Sequence, residues 1–206
     1  MSLLATALIL ASFTRLAAAQ LLRDLLQQTR WGTTSRELLG QFGDAAKPLS
    51  RSLDFGDSYV DLVLNRESLG GVRVLVFFQM DKQTGGLKRI QLERPHHGVN
   101  PPAYRAITAA LHDALGAPDK RCVVPVRPAG GYQAAAQELW FRGGNVISAI
   151  FRDTTLQAFE GCLFGITSGP CGLTGRLLVR ISPADATARS DPCFQARQAD
   201  DPSGSR

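Results

Sequence analysis

Between Tyr59 and Glu93 the hydrophobic period of the chain is two, and glycine pairs cut it into strand-sized lengths. Tyr59-Val60-Asp61-Leu62-Val63-Leu64 and Val72-Arg73-Val74-Leu75-Val76-Phe77-Phe78 read as strands joined at Gly70-Gly71. A third strand, Leu87 to Glu93, follows the turn Asp81-Lys82-Gln83-Thr84-Gly85-Gly86. Parallel neighbours need a crossover of about a dozen residues or more, and these connections are too short to hold one. The segment is therefore expected to be an antiparallel meander.

Helical spacing takes over on either side. Leu21, Leu22, Leu25 and Leu26 mark a short amphipathic helix that ends near Thr29, where Trp31-Gly32 breaks it. Thr34-Ser35-Arg36-Glu37 has the form of a capping box: the Thr34 hydroxyl accepts from the Glu37 amide while the Glu37 carboxylate reaches back. Leu38, Leu39 and Phe42 supply the stripe of that second helix as far as Gly43. Asn100-Pro101-Pro102 starts the longest helix, because asparagine caps free amides and proline in the first turn forfeits none. Its core stripe is Tyr104, Ile107, Leu111 and Leu115, with Arg105, Thr108 and Asp113 turned to water, and Gly116-Ala117-Pro118 ends it.

Beyond it lie an extended stretch at Val123 to Val126, a hairpin of Glu138 to Arg142 and Val146 to Arg152 turning at Gly143-Gly144-Asn145, and a strand from Arg176 to Ile181. The order helix, strands, helix, strands predicts an α+β fold of short helices packed on antiparallel sheet. A faint internal echo lays it out as two tandem helix–meander units, residues 31–95 and 100–182: Leu38, Phe42 and Gly43 align with Leu111, Leu115 and Gly116.

Hydrophobic residues at 44% and charged residues at 20% exclude a disordered chain, and no charge-free apolar run approaches the ~18 to 20 residues of a membrane span. The net charge of +5 comes from 19 Arg and 4 Lys scattered along the chain. A nucleic-acid groove gathers such charge into a stripe interleaved with aromatics, so nucleic acid is not an expected partner. Leu3 to Phe13 is an apolar run followed by Ala17-Ala18-Ala19, the layout of a secretory signal peptide over residues 1–19. Residues 20–182 then form a single domain, and the tail 183–206, rich in Ala, Asp, Ser and Pro, is held only at Cys193.

Four cysteines in an exported chain read as two disulfides. The spacings, with no C-x-x-C, suit neither structural zinc nor a redox dithiol. Three connectivities are open. The one taken here pairs Cys162 with Cys171 across a Gly/Ser/Pro loop and Cys122 with Cys193 to tie down the tail.

An early Trp31-Gly32, a capped short helix, strand pairs with Gly-Gly turns, a helix ending Leu115-Gly116-Ala117-Pro118 and a strand bearing Trp140 together resemble two kinds of exported helix-plus-sheet module. These are the β-lactamase-inhibitor-protein-like fold and the small lipoprotein of the outer-membrane barrel assembly machinery. The resemblance spans Trp31 to Ile181, rests on layout, implies a binding or scaffolding role, and carries over no functional residue.

His96-His97, following Glu93-Arg94-Pro95, is the most suggestive chemical pair, since imidazoles beside a carboxylate can hold a metal or move protons. His112 on the long helix is a further candidate. Ser168-Gly169-Pro170-Cys171-Gly172 lacks the strand-turn-helix setting of a nucleophile elbow. The Gly-Gly pairs at 70, 85, 130 and 143 match no phosphate-binding pattern and are read as turn glycines. Trp31 and Trp140 are expected to pack, and Asp54, Asp57 and Asp61 lack the loop pattern of a calcium site.

The function expected is that of an exported, non-enzymatic module binding a protein or cell-envelope partner, with no cofactor. The alternative is a small hydrolase or metal-dependent enzyme built on Glu93, His96, His97 and His112. Export gives the first test: Edman sequencing of the protein from its native host should begin at Gln20, and a chain starting at Met1 or Ser2 would contradict it.

Overall fold

The computed structural model describes residues 20–95, 101–124, 134–153 and 176–185, together with Cys193. Strands β1 (Ala46–Asp54), β2 (Ser58–Leu69), β3 (Val72–Asp81) and β4 (Leu87–Glu93) run up and down in sequence. Strands β5 (Lys120–Val124), β6 (Ala134–Arg142), β7 (Asn145–Asp153) and β8 (Arg176–Pro183) do the same. Because β4 pairs antiparallel with β8, the two meanders fuse into one sheet of order β1-β2-β3-β4-β8-β7-β6-β5. Helices α1 (residues 20–28) and α2 (Ser35–Phe42) precede the first meander and α3 (Pro101–Leu115) precedes the second. The expected α+β architecture of short helices on antiparallel sheet is the observed one.

Two glycine pairs make the tightest turns. Gly70 and Gly71 have φ of 61° and 75°, and Gly143 and Gly144 have 56° and 77°, the left-handed backbone that a two-residue hairpin loop needs at both central positions. Gly70 has a second reason to lack a side chain. A Cβ there would run into the carbonyl of Ala106, because α3 rests directly on the β2–β3 turn.

Strand alternation sorts the side chains onto two faces. One row passes through Phe78, Ile90, Ile181, Ile147 and Trp140, each paired with the next across five strands and each fully buried. A parallel row runs Leu64, Val76, Leu92, Val179, Ala149. Leu22 and Leu25 of α1, Leu38 of α2, and Ala103, Ile107, Ala110 and Leu111 of α3 all pack into the cluster these rows form. The three helices therefore share one face. Thr34 caps α2 with the full capping box, and residues 32–34 are pinned to the start of β4 by Gly32 N–H to Leu87 O (2.9 Å) and Leu87 N–H to Thr33 O (2.8 Å).

The carboxyl end of α3 is capped from β6. Trp140 Nε1 donates to Gly116 O at 2.9 Å, and Arg142 donates to Leu115 O through Nη2 at 2.7 Å while also holding Asp119 at 2.8 Å. These bonds satisfy carbonyls that a helix end otherwise leaves without partners.

Several expectations are corrected. Strand β1 has no counterpart in the sequence reading, because only Ala46 of its nine residues is buried and no period shows. Strand β5 starts at Lys120, three residues before the expected extended stretch, and the second hairpin begins at Ala134. Leu39 is 37% exposed and not part of the α2 stripe. Thr108 is half-buried, its hydroxyl donating to Tyr104 O at 2.9 Å.

Leu111 sits at the centre of the helix–sheet seam with no exposure. Leu111→Ala should lower stability by about 2 to 5 kcal/mol, through lost burial and a residual cavity, while Arg105→Ala on the exposed side should change it by less than about 0.5 kcal/mol. Gly70→Ala should cost more than about 1 kcal/mol, since it adds both backbone strain and a clash with α3. Denaturant unfolding measures all three.

Candidate functional site

Glu138 stands where an apolar row reaches β6. It pairs in register with Ala149 and shares the helix-covered face with Trp140, two residues on. A carboxylate there needs partners, because burying an unpaired charge is costly. His112 of α3 supplies one at 2.7 Å from Nε2 to Oε2, and Arg121 of β5 supplies the other at 3.1 Å from Nε to Oε1. The His112 ring stands edge-on to Trp140 with centroids 5.6 Å apart. Tyr104, about two turns further back on α3, packs against Phe151 at 5.3 Å. His112 thus locks α3 to the second meander.

His112 is a candidate legible in the sequence, whereas Glu138, Arg121 and Tyr104 do not stand out there as its company. The signal was present: Glu138 has the same strand parity as Trp140, so a charge among core positions called for a partner.

Glu93 lies on the other side of the sheet. Its register partners are Leu75 and Leu178, and its Oε1 accepts from Gln91 Nε2 at 2.5 Å. Helix α3, with His112, covers the opposite face, so the sheet itself separates Glu93 from His112. His96 and His97 lie outside the described residues, as do Asn100, Gly130, Cys162, Ser168 and Cys171. Among the described residues no group of three or more His, Cys, Asp or Glu is placed to hold a metal.

The three aspartates of the β1–β2 region also diverge. Asp54 is bound by Lys82 at 2.8 Å, Asp57 by Arg89 and by Lys88 at 3.2 Å, and Asp61 accepts from Ser35 at 2.7 Å. The Lys82 hydrogen bond, aided by the Gly56 amide, holds the Asp54 carboxyl below its usual range. Burial raises that of Asp57, but Arg89 and Lys88 outweigh it and leave it lowered. Asp54 and Asp57 are neutralised by the protein's own cations, while Asp61 is held by a hydroxyl.

Among the described residues the other face of the sheet carries no helix, and this helix-free face has a polar middle and two apolar flanks. In the middle, Arg89 bridges Gln79, Ser58 and Asp57, and Arg180 donates to Gln91 Oε1 at 3.0 Å. On the first flank Val60, Val63 and Phe77 are surrounded by the half-buried Leu49, Phe55 and Leu75, with the Phe55 and Phe77 rings 6.0 Å apart. On the second flank Leu139 and Val146 pack against Cys193, which is disulfide-bonded to Cys122 with Cα atoms 5.8 Å apart. This is the pairing expected for those two cysteines. Trp140 is fully buried, and Trp31 is half-buried with Nε1 donating to Asn145 Oδ1 at 2.8 Å.

An eight-stranded antiparallel sheet with one face under helices and the other divided into polar and apolar zones defines the chain by architecture. No known protein family, curated protein or solved structure matches it.

Burial pushes the Tyr104 phenol up to about 12, with the Glu138 carboxylate adding to the effect and Arg121 opposing it. A phenol that keeps its proton longer in the fold than in the unfolded chain contributes stability that is complete below its unfolded value of about 10 and is lost as the pH climbs to about 12. Stability should therefore fall across that window, and Tyr104→Phe should flatten the fall. Urea midpoints at a series of alkaline pH values measure it.

Proposed function

We propose that the chain is an exported, non-enzymatic module that binds a protein of the cell envelope through the helix-free face of its sheet, at the β1–β3 end. One observation carries this reading: the three helices among the described residues pack on one face, while on the other Leu49, Phe55 and Leu75 stay half-buried around Val60, Val63 and Phe77. An apolar patch rimmed by polar groups is the usual mark of an interaction site.

Export is supported by the apolar run Leu3 to Phe13, by Ala17-Ala18-Ala19, and by a Cys122–Cys193 disulfide of the kind that persists in oxidising compartments. A protein partner is favoured over a lipid surface by the state of the nearby cations. Lys82, Lys88 and Arg89 are all engaged by Asp54, Asp57 or Asp81, so they form no basic belt for anionic headgroups. The non-enzymatic reading is supported by the separation of Glu93 and His112 across the sheet. No helix among the described residues is long and apolar enough to cross a membrane.

The test is site-specific photo-crosslinking in envelope extract, followed by an affinity measurement on the captured partner. Phe55→Asp should weaken binding by about tenfold or more, with circular dichroism unchanged, while Arg105→Asp on α3 should leave it alone. Equal binding by both variants overturns the face assignment. His96→Ala or His97→Ala variants that stay folded yet lose an activity or a metal affinity would replace this reading with the enzymatic one.

A further inference from the structure

A groove of about 330 Å³ opens where the two meanders' connections meet. Leu26, Thr29, Arg30 and Trp31, at and beyond the end of α1, form one wall, and the β6–β7 turn from Gly143 to Asn145 forms the other. None of these residues belongs to the Phe55–Phe77 cluster, so the groove stands apart from the face proposed above.

Most of the wall is fixed by its own hydrogen bonds. Trp31 is oriented by its bond to Asn145 Oδ1, and Asn145 Nδ2 donates in turn to Gly143 O at 3.3 Å. Ala184 N–H donates to Gly144 O at 2.9 Å, which steadies the turn, and the Thr29 hydroxyl donates to Leu25 O. Gly143 and Gly144, at left-handed φ, bring bare backbone to the wall and leave the space open. Arg30 differs. Its guanidinium is the groove's only ionisable group and has no hydrogen-bond or ion-pair partner among the described residues.

We propose that this groove binds a small organic carboxylate with an apolar body. The carboxylate meets Arg30, whose planar fork matches it bidentately, and the body lies against the Trp31 ring and Leu26. A single cation balances one carboxylate and leaves a phosphate's second charge uncompensated, which favours the former. The volume suits a body of about a dozen non-hydrogen atoms. Such a group reaches the groove either as a free acid or as the carboxyl-terminal residue of a peptide.

The two sources and the proposal itself are separated by titrating the full chain and reading tryptophan fluorescence. Trp140 is fully buried with its Nε1 bonded to Gly116 O, so a ligand-dependent change reports Trp31. The probes are 3-phenylpropionate, its neutral amide, and the tripeptide Ala-Ala-Phe with a free or an amidated carboxyl terminus. Saturable quenching by the carboxylates with Kd near or below ~1 mM is expected, with the amides and the Arg30→Gln variant at least about tenfold weaker. Arg30→Lys should bind in between, since it keeps the charge and loses the fork. Tighter binding of the free tripeptide than of the simple acid assigns the groove to peptide ends, and the reverse order assigns it to free acids. Equal affinity for acid and amide, unchanged binding in Arg30→Gln, or no saturable change overturns the proposal.

Discussion

The pairing of β4 with β8 is the constraint on which the rest depends. Four register pairs, Ile90 with Ile181, Gln91 with Arg180, Leu92 with Val179 and Glu93 with Leu178, join two meanders that otherwise have no shared strand. They also fix parity. In this register Ile90 and Leu92 meet Ile181 and Val179 under the helices, while Gln91 meets Arg180 on the far side. A slip of β8 by one residue would turn Arg180 into the core and expose Ile181 and Val179. The hydrophobic rows beneath α1, α2 and α3 are continuous only because both meanders present apolar positions at the same level. A two- or four-stranded sheet would offer each helix half a floor.

This apolar floor carries a charged group at Glu138. Its cost is offset by His112 and Arg121, which reach it from α3 and β5 at 2.7 and 3.1 Å. Replacing a charged cluster of this kind with packed hydrocarbon is often neutral or stabilising, whereas removing one member strands the other. The value of the cluster is therefore better seen in placement. It joins α3 to the second meander, just as Gly70 seats the same helix on the first, and the helix is held between them by Trp140 and Arg142 at its carboxyl end.

How much of this was legible in the sequence follows from where each signal is stored. Strand β4 is legible to the residue, because Gly85-Gly86 stops the turn before it and Ile90 and Leu92 alternate with polar neighbours. The capping box of α2 and the extent of α3 were legible for the same local reason. Strand β1 was not. Its sequence, Ala-Lys-Pro-Leu-Ser-Arg-Ser-Leu-Asp, buries only Ala46 and half-buries only Leu49 at the sheet edge, and its register shifts between Pro48 and Leu53, so no period survives. Lys47, Pro48 and Arg51 on such a strand discourage further pairing. The fusion of the meanders was also hidden, since β4 and β8 lie more than eighty residues apart in the chain and nothing local records their meeting. The chemistry suffered most. Glu93 and His112 looked like companions in one dimension, and only the sheet between them shows that they face apart.

The two flanks of the helix-free face differ in a way that bears on binding. On the second flank the protein's own Cys193 lies on Leu139 and Val146, tethered through Cys122. On the first, the cover comes from neighbours within the same meander: Phe55 from the β1–β2 turn leans on Phe77, and Leu49 comes from the edge strand. Those covering residues are themselves half-exposed, and β1 is the strand with the fewest buried side chains to hold it. Local opening is least costly where few apolar contacts resist it. On the binding reading, the β1–β3 end is thus the part of the face that can adjust to a partner, while the polar row of Gln79, Arg89, Gln91 and Arg180, satisfied across three strands, keeps the centre of the sheet in shape.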